Sequence, residues 1–521
     1  MTWRNEMVGN LDPEEIRYFA ALAGFEITDT DLPEYERLVG AMAPLLDAFA
    51  GLTPAERAPV PAHRDPGRRG TPADDPLNAV IRWCDVHTGD EGTLSGKRFG
   101  LKDNIAVAGV PMTLASRMFE TFIPSTDAVV VERILGAGGK VVAKLNMDGY
   151  AWSAGGESGD FGAILNPFDH TRTAAGSSGG SGAALSYDGI DVTLGVDQGG
   201  SIRLPASWCG TLGLKPTRGL VPYTGVVGMD RSLDYVGPLT NDATTMAEVM
   251  DVIAGPHWSD PRQCGHGADL DFAGACAAAT TDLSGLRIGV VEEGFSWVDE
   301  EIVPDGTRET ADATRAAIER FAALGATVES VSIPEHRTGS DLAYLVWLVE
   351  GQAATTRARG IDYGAAGWHD ADVAVHLDRA LAVDAESLPT TLKLVLTLGT
   401  YMKERFSGSW YAKARNLGRE VTLAFDRALE DHDLLVMPTA THYAFEHQPD
   451  LGLADAVLRG LAMVGNTRTM DMTGHPALSI PAAEADGLPV GVMLIGRHFE
   501  DDRVVAAARS YELAHGWSPG R

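Results

Sequence analysis

From about residue 75 onward, short β-type runs alternate with helical segments: "AVVVERILGAGGKVVAKLN", "GIDVTLGVD", "LRIGVVEE", "HDLLVMPT" and "PVGVMLIGR" recur along the chain. Strands that arrive singly between helices are not hairpin-built sandwiches, and the pattern predicts an α/β layer architecture, a mixed sheet covered by helices. A stretch from about 300 to 428 is mostly helical, including "YMKERFSGSWYAKARNLGREVTLAFDRAL". No internal repeat interrupts this order, and 521 residues suffice for one large α/β enzyme or for three to four average domains.

Ahead of this body, "LDPEEIRYFAALAG" offers Asp12 as an N-cap, Pro13 at the first helical position and Glu15 where a capping box wants it. "LPEYERLVGAMAPLLDAFAGL" follows with Tyr35, Leu38, Val39, Met42, Leu45, Leu46 and Phe49 on one helical stripe. A Pro/Gly/Arg/Asp-rich connector, "TPAERAPVPAHRDPGRRGTPADDP", then suggests an N-terminal helical layer over residues 1–70 and a main body over 75–521. Packing is the ordinary role for such a layer, and a subunit interface the sharper one; a homodimer is the expectation.

The formal charge of −30, spread along the chain, opposes nucleic-acid phosphates and anionic membrane surfaces. Cys84, Cys209, Cys264 and Cys276 show no CxxC spacing, and the start lacks the basic and apolar blocks of a signal peptide. The longest apolar runs, such as "LAYLVWLV", fall far short of the ~18 residues needed to span a bilayer. The expectation is a reduced, cytoplasmic protein with no membrane or nucleic-acid partner.

Within "TAAGSSGGSGAAL", the seven residues from Gly176 to Gly182 hold four glycines and three serines. A linker is the default reading of such a segment, but a helix-compatible run and a strand-like "DVTLGV" follow at once. A phosphate loop would need a lysine in GxxxxGK[ST], and none is there. A nucleophile elbow centred on Ser178 fits the five-residue pattern, yet the preceding "NPFDHTRTAA" is no buried strand, and nothing singles out His432, His442, His475 or His498 as its base.

The better nucleophile lies 24 residues beyond Ser177. In "LGVDQGGSIRLPASWCG" an apolar strand breaks at Asp197-Gln198-Gly199-Gly200-Ser201, and glycines just before a serine let backbone N–H groups converge near its hydroxyl. Ser201 then needs a base. Eight lysines stand against 34 arginines, so each lysine position is informative, and Lys102 in "FGLKDNIAVAGV" follows a short apolar step. An exposed lysine is charged at neutral pH; burial must lower its pKa to about 7 to 8 before it can take a proton. Read alone, Lys102 is an ordinary surface lysine, and composition does not show its burial.

Lys102 in "GLKDN", Ser177 in "GSSGGS" and Ser201 in "DQGGSIRLPASWCGTLGLKPT" together resemble the amidase signature family. Similarity runs from about residue 75 to the C-terminus through "KPTRGLVPYTG", "SLDYVGPLT", "LLVMPT" and "TGHPALSIPAAEADGLPVGVMLIGRHFED". Gln198, "LVPYTG" and the extra N-terminal helices look like the amidases that accompany nitrile hydratases; Ala175 departs from the pattern, where a second glycine commonly precedes the serines.

The resemblance implies an amidase signature fold, a large mixed β-sheet covered by helices on both faces, and a Ser-Ser-Lys triad. Ser201 would attack an amide carbonyl, its proton passing through Ser177 to Lys102, with backbone N–H groups of Gln198, Gly199, Gly200 and Ser201 as the oxyanion hole. It also implies a cis peptide at Ser177, a supporting hydrogen-bonding role for Ser178, and neither metal nor organic cofactor. Asp197 and Arg203 flank the nucleophile as a structural ion pair or, more sharply, as substrate contacts. Tyr150 and Trp152 are candidate pocket residues because the similar segment lies near the site. Cys209 reads as a buried small hydrophobe, Glu292 and Glu293 as a solvated strand end, and His475 as structural.

The expected activity is hydrolysis of a neutral carboxamide to carboxylate and ammonia. A carbamate or aryl-acylanilide hydrolase is the alternative within the fold. Two alternatives of another class are the glutaminase component of a tRNA-dependent amidotransferase, with the same triad, and a non-catalytic binding protein on the same scaffold.

Overall fold

The computed structural model describes residues 11–52, 57–263, 267, 269–295, 307–338 and 340–517. It separates into two compact units, Met1–Ala58 and Pro59–Arg521. Cys264 and the first residues of the stretch expected to be helical from 300 lie outside the described residues.

In the first unit the helix Pro13–Leu22 begins with the capping box its sequence announces: the Asp12 side chain accepts from the N–H of Glu14 and Glu15, and Glu15 reaches back to the N–H of Asp12. With the second helix, Leu32–Ala50, it encloses a small core of Ile16, Ala20 and Ile27.

The second unit is built on a mixed sheet of twelve strands among the described residues. In chain order they are β1 (His63–Arg69), β2 (Val80–His87), β3 (Arg98–Lys102), β4 (Lys140–Leu145), β5 (Val192–Asp197), β6 (Leu212–Lys215), β7 (Tyr235–Thr240), β8 (Arg287–Val291), β9 (Thr327–Val331), β10 (Leu434–Pro438), β11 (Ala477–Ala485) and β12 (Leu488–Ile495). Their order in the sheet is β1-β2-β4-β3-β5-β7-β6-β11-β12-β10-β8-β9. β3 runs parallel to β4 and β5, and β8 parallel to β9 and β10; the other neighbours are antiparallel. β5 and β12 are buried at every position, which is why they read as continuous apolar runs.

Three strands were hidden by proline. The connector before residue 70 contains β1, an edge strand whose register shifts at Pro66-Gly67, so the boundary between units falls at 58/59 and not near 70. Pro238 sits inside β7, and Pro481 falls in the bulge of β11 between Ile480 and Ala483. The region from 307 to 431 is helical as expected, with β9 inserted in it.

What matters for the site is the parallel pair β3 and β5, in which Phe99 faces Val192 and Leu101 faces Leu194. Parallel neighbours end on the same side of a sheet, so Lys102 and Asp197, the last residues of the two strands, emerge together although 95 positions separate them.

Candidate active site

Lys102 is wholly buried, with Nζ 2.8 Å from Ser177 Oγ and 3.1 Å from the carbonyl oxygen of Val196. Burial pushes its amine down to about 7, against the opposing pull of the Asp148, Asp197 and Asp234 carboxylates. At that value a large fraction of the amine is neutral at physiological pH and able to accept a proton.

Ser177 follows a cis peptide bond from Gly176 and is fully buried. Only glycine fits at 176, where a Cβ would lie 1.9 Å from Asp148 Oδ2. Ala175, just before it, holds φ at +59°, in the left-handed region that an alanine rarely occupies. Ser178 Oγ bridges the carbonyl and the N–H of Val196 at 3.1 and 3.2 Å, tying the Gly/Ser loop to the end of β5. Engaged in this way, Ser178 is no elbow nucleophile: His432, His442, His475 and His498 hydrogen-bond to Glu329, Thr441, Asp426 and Thr473, and to no serine.

Ser201 lies between β5 and the helix Arg203–Cys209, at the wall of a cavity of about 650 Å3. The turn carrying it is held by Asp197, whose carboxylate takes the N–H of both Gly200 and Ile202. Gly200 therefore cannot offer its N–H to a substrate, a departure from the four-residue oxyanion hole expected from the sequence. Among the described residues the N–H groups of Gln198, Gly199 and Ser201 have no protein acceptor. Close approach demands both glycines: a Cβ at 199 would sit 2.1 Å from Tyr344 Oη, and one at 200 would sit 2.2 Å from Thr467 Oγ1.

Arg203 anchors this turn from below. It holds Asp197 through two bonds of 3.0 Å, Asp471 through one of 2.8 Å and the Thr467 carbonyl through another of 2.8 Å, all fully buried. Burial alone would raise Asp197; the guanidinium instead holds it at about 2. Asp471 goes the other way, raised well above the usual carboxylate range by burial and by the Asp197 charge, and the two carboxylates share the one guanidinium.

Of the two expected pocket residues, Trp152 lines the cavity. Tyr150 does not: its ring packs edge-on against Phe119 and its hydroxyl meets Met118 Sδ at 3.3 Å, because the tight turn Gly149–Ala151 sends the two side chains apart. The cavity that Ser201 lines has a mixed wall whose apolar part includes Met229, Leu348, Val395, Leu461 and Val464. Of the charged groups in it, Glu157 pairs with Arg459 and His447 and Lys393 with Glu386, while the Asp160 carboxylate accepts the backbone N–H of Arg117. Gln198 also lines the cavity, donating from Nε2 to Tyr223 Oη at 3.3 Å and leaving Oε1 without a partner.

Sequence reasoning missed Asp148, which accepts from the N–H of Gly156 and Ser158 beneath the serine loop, and Asp471 in the arginine network. It also missed the fully buried pair of Lys144 with Asp103, at 3.3 Å on the strand beside Lys102. No local signal marks a carboxylate as buried. Cys209 is buried with Sγ 3.5 Å from the Ala174 carbonyl, and Cys84 and Cys276 are likewise buried. Glu292 and Glu293 cap the end of β8 by accepting hydrogen bonds from Ser330 and Ser332.

With a lysine beside the serines where other serine hydrolases place a histidine, fold and site define a class, the amidase signature hydrolases that cleave amide C–N bonds. The chain belongs to the Amidase family, whose sequence model matches residues 82–505. It is 37% identical to an enantioselective amidase of Rhodococcus rhodochrous over 98% of both chains. It is also 37% identical to a glutamyl-tRNA(Gln) amidotransferase chain of Halobacterium salinarum, over 84% of this chain and 99% of that one. Among solved structures, the corresponding glutamyl-tRNA(Gln) amidotransferase chain from Thermotoga maritima superposes with a TM-score of 0.67 at 30% identity, covering 84% of this chain and 87% of the other. No helix among the described residues is long and apolar enough to cross a membrane.

Proposed function

We propose that the protein hydrolyses neutral carboxamides carrying an apolar acyl group, through an acyl-enzyme on Ser201. The observation that carries this is the buried Lys102 amine 2.8 Å from Ser177 Oγ. Lys102 takes the Ser177 proton as Ser177 takes that of Ser201; the Ser201 oxygen adds to the amide carbon, and the N–H groups of Gln198, Gly199 and Ser201 receive the oxyanion. The proton returns through Ser177 to the leaving nitrogen, ammonia departs, and water repeats the relay to free the acid. Asp197, Arg203 and Ser178 position this machinery without touching substrate.

The apolar residues of the wall, the pairing of Glu157 and Lys393 with opposite charges and the negative charge of Asp160, which repels an anionic acyl group, support a neutral one. Carbamates and acylanilides share the same carbonyl chemistry and form the alternative substrate class. A glutaminase reading has a specific observation in its favour, the likeness to the Halobacterium amidotransferase chain over 84% of this one. Against it, the likeness to the Rhodococcus amidase extends over 98%, taking in the N-terminal helices. We place the enzyme in the reducing cytoplasm as a homodimer, the stripe of Leu38, Met42, Leu45 and Phe49 on the helix Leu32–Ala50 being its apolar contact.

The test is ammonia release by the purified chain from benzamide, isobutyramide, a phenyl-substituted propionamide and glutamine, with Ser201→Ala alongside. Release from the neutral amides that the variant abolishes is the expected result. Release from glutamine alone moves the assignment to an amidotransferase component, and a variant as active as the parent overturns the nucleophile.

A further inference from the structure

Away from the catalytic cavity, three side chains from three segments converge. Asp426 comes from the helix Ser409–Asp431, His475 from the turn before β11, and His498 from the turn after β12. Nε2 of His475 lies 3.1 Å and Nδ1 of His498 lies 3.7 Å from the same atom, Asp426 Oδ1. The two rings stand 4.0 Å apart, centroid to centroid.

The hydrogen-bond pattern fixes what His498 presents to this centre. Its Nε2 is 3.1 Å from the Thr473 carbonyl oxygen, which can only accept, so Nε2 carries the hydrogen and Nδ1 turns a lone pair toward the Asp426 carboxylate. Two acceptors facing one another repel unless a cation lies between them. A proton does not bridge 3.7 Å, which is beyond hydrogen-bond range. A metal ion does: ligand atoms bound tetrahedrally at about 2.0–2.1 Å stand about 3.3 Å from one another, between the two separations observed. A histidine whose outer nitrogen donates to a backbone carbonyl is also the usual support of a metal ligand.

We propose that Asp426 Oδ1, His475 Nε2 and His498 Nδ1 bind a divalent late first-row cation of the zinc type. Two imidazoles and one carboxylate suit Zn2+ over Mg2+ or Ca2+, which call for all-oxygen sites. Arg218, whose guanidinium bonds the Tyr235 hydroxyl and the carbonyls of Asp471 and Met472, opposes a cation nearby, and the Asp426 charge offsets it. The Asp426 side chain is 43% exposed, which leaves water to complete the coordination.

The site is structural. It ties the helix Ser409–Asp431 to the turns on either side of the β11–β12 hairpin, and Thr473, which supports His498, lies two residues from Asp471 of the arginine network. It stabilises the platform beneath Ser201, and no step of hydrolysis passes through it.

The experiment is titration of tag-free, metal-stripped protein with Zn2+ against a chromophoric chelator, with the melting temperature followed in parallel. One Zn2+ per chain and a melting temperature that rises with Zn2+ are expected. In Asp426→Asn and His498→Gln affinity drops on the order of 100-fold, while amide hydrolysis and the metal-free melting temperature stay at the parent values. Zinc-edge anomalous scattering from crystals of the unmodified chain places the ion among the three side chains, independently of whether either variant folds. No Zn2+ bound by the parent, undiminished binding in both folded variants, or an anomalous peak elsewhere overturns the proposal.

Discussion

Asp197 grips Arg203 through two parallel hydrogen bonds of 3.0 Å, and the same carboxylate fastens the backbone of Gly200 and Ile202 on either side of Ser201. The nucleophile's turn is thus hung on a charge pair that water does not reach. Removing one partner leaves the other charged and buried, at a cost of about 3–5 kcal/mol. Arg203→Met should lower the stability measured by urea unfolding by that amount and reduce kcat by more than it changes KM, since the turn and not the cavity wall is disturbed.

Lys102 must be neutral to accept a proton, and its pKa is lowered to about 7 by burial. The rate should therefore rise with pH through an ascending limb near 7, read from a profile of kcat/KM on a neutral amide. Lys102→Met should lose the limb together with a factor of about 100 to 10,000 in rate, the range of general base catalysis.

Lys215 is a second wholly buried lysine lowered to about 7 by burial; its amine lies 3.9 Å above the Tyr235 ring and donates to the Pro216 carbonyl. Between pH 7 and 10.5 the unfolded chain holds a proton on each of these two lysines that the folded chain does not, so stability rises with pH across that window. Each contributes at most about 1.4 kcal/mol per pH unit. The burial of Lys144 adds to this rise and the Cys84 thiol, pushed up to about 12, opposes it, so the expected outcome is a difference: in unfolding measured from pH 8 to 9.5, stability should rise less steeply with pH in Lys215→Met than in the parent.

Ala175 carries the left-handed strain that a glycine would not. The strain is worth about 1–2 kcal/mol, and the extra freedom of glycine in the unfolded chain takes back about 0.4–1 kcal/mol. Ala175→Gly should therefore stabilise the protein by up to about 1.6 kcal/mol in thermal or urea unfolding. Unchanged or lowered stability would show that the alanine methyl packs well enough to offset its backbone.

Trp152 presents its ring to the cavity beside an aliphatic wall. Trp152→Ala should lower kcat/KM for a phenyl-substituted propionamide about 10-fold to 100-fold while changing that for isobutyramide far less, because only the larger acyl group reaches the lost surface. Equal losses on both would place the indole in support of the loop and not in contact with substrate.

The chain's local pattern determined the α/β class, the two N-terminal helices with their capping box, and the candidacy of Ser201 and Lys102, while Ser177 became a candidate through the resemblance to the amidase signature family. The locally determined features rest on interactions within a turn or a strand, which neighbouring residues encode directly. Proline hid β1, β7 and β11, because a missing N–H reads as a break until bulges and edge positions show where it is tolerated. Only the tertiary structure decided that Lys102 is buried, that it meets a serine 75 positions away, and that Asp148, Asp197 and Asp234 temper its pKa. The same holds for Trp152 entering the cavity while Tyr150 leaves it, for Gly200 losing its N–H to Asp197, and for Asp426, His475 and His498 coming together. Desolvation and charge pairing depend on what the rest of the fold places within a few ångströms, and a residue's neighbours in sequence carry almost none of that information.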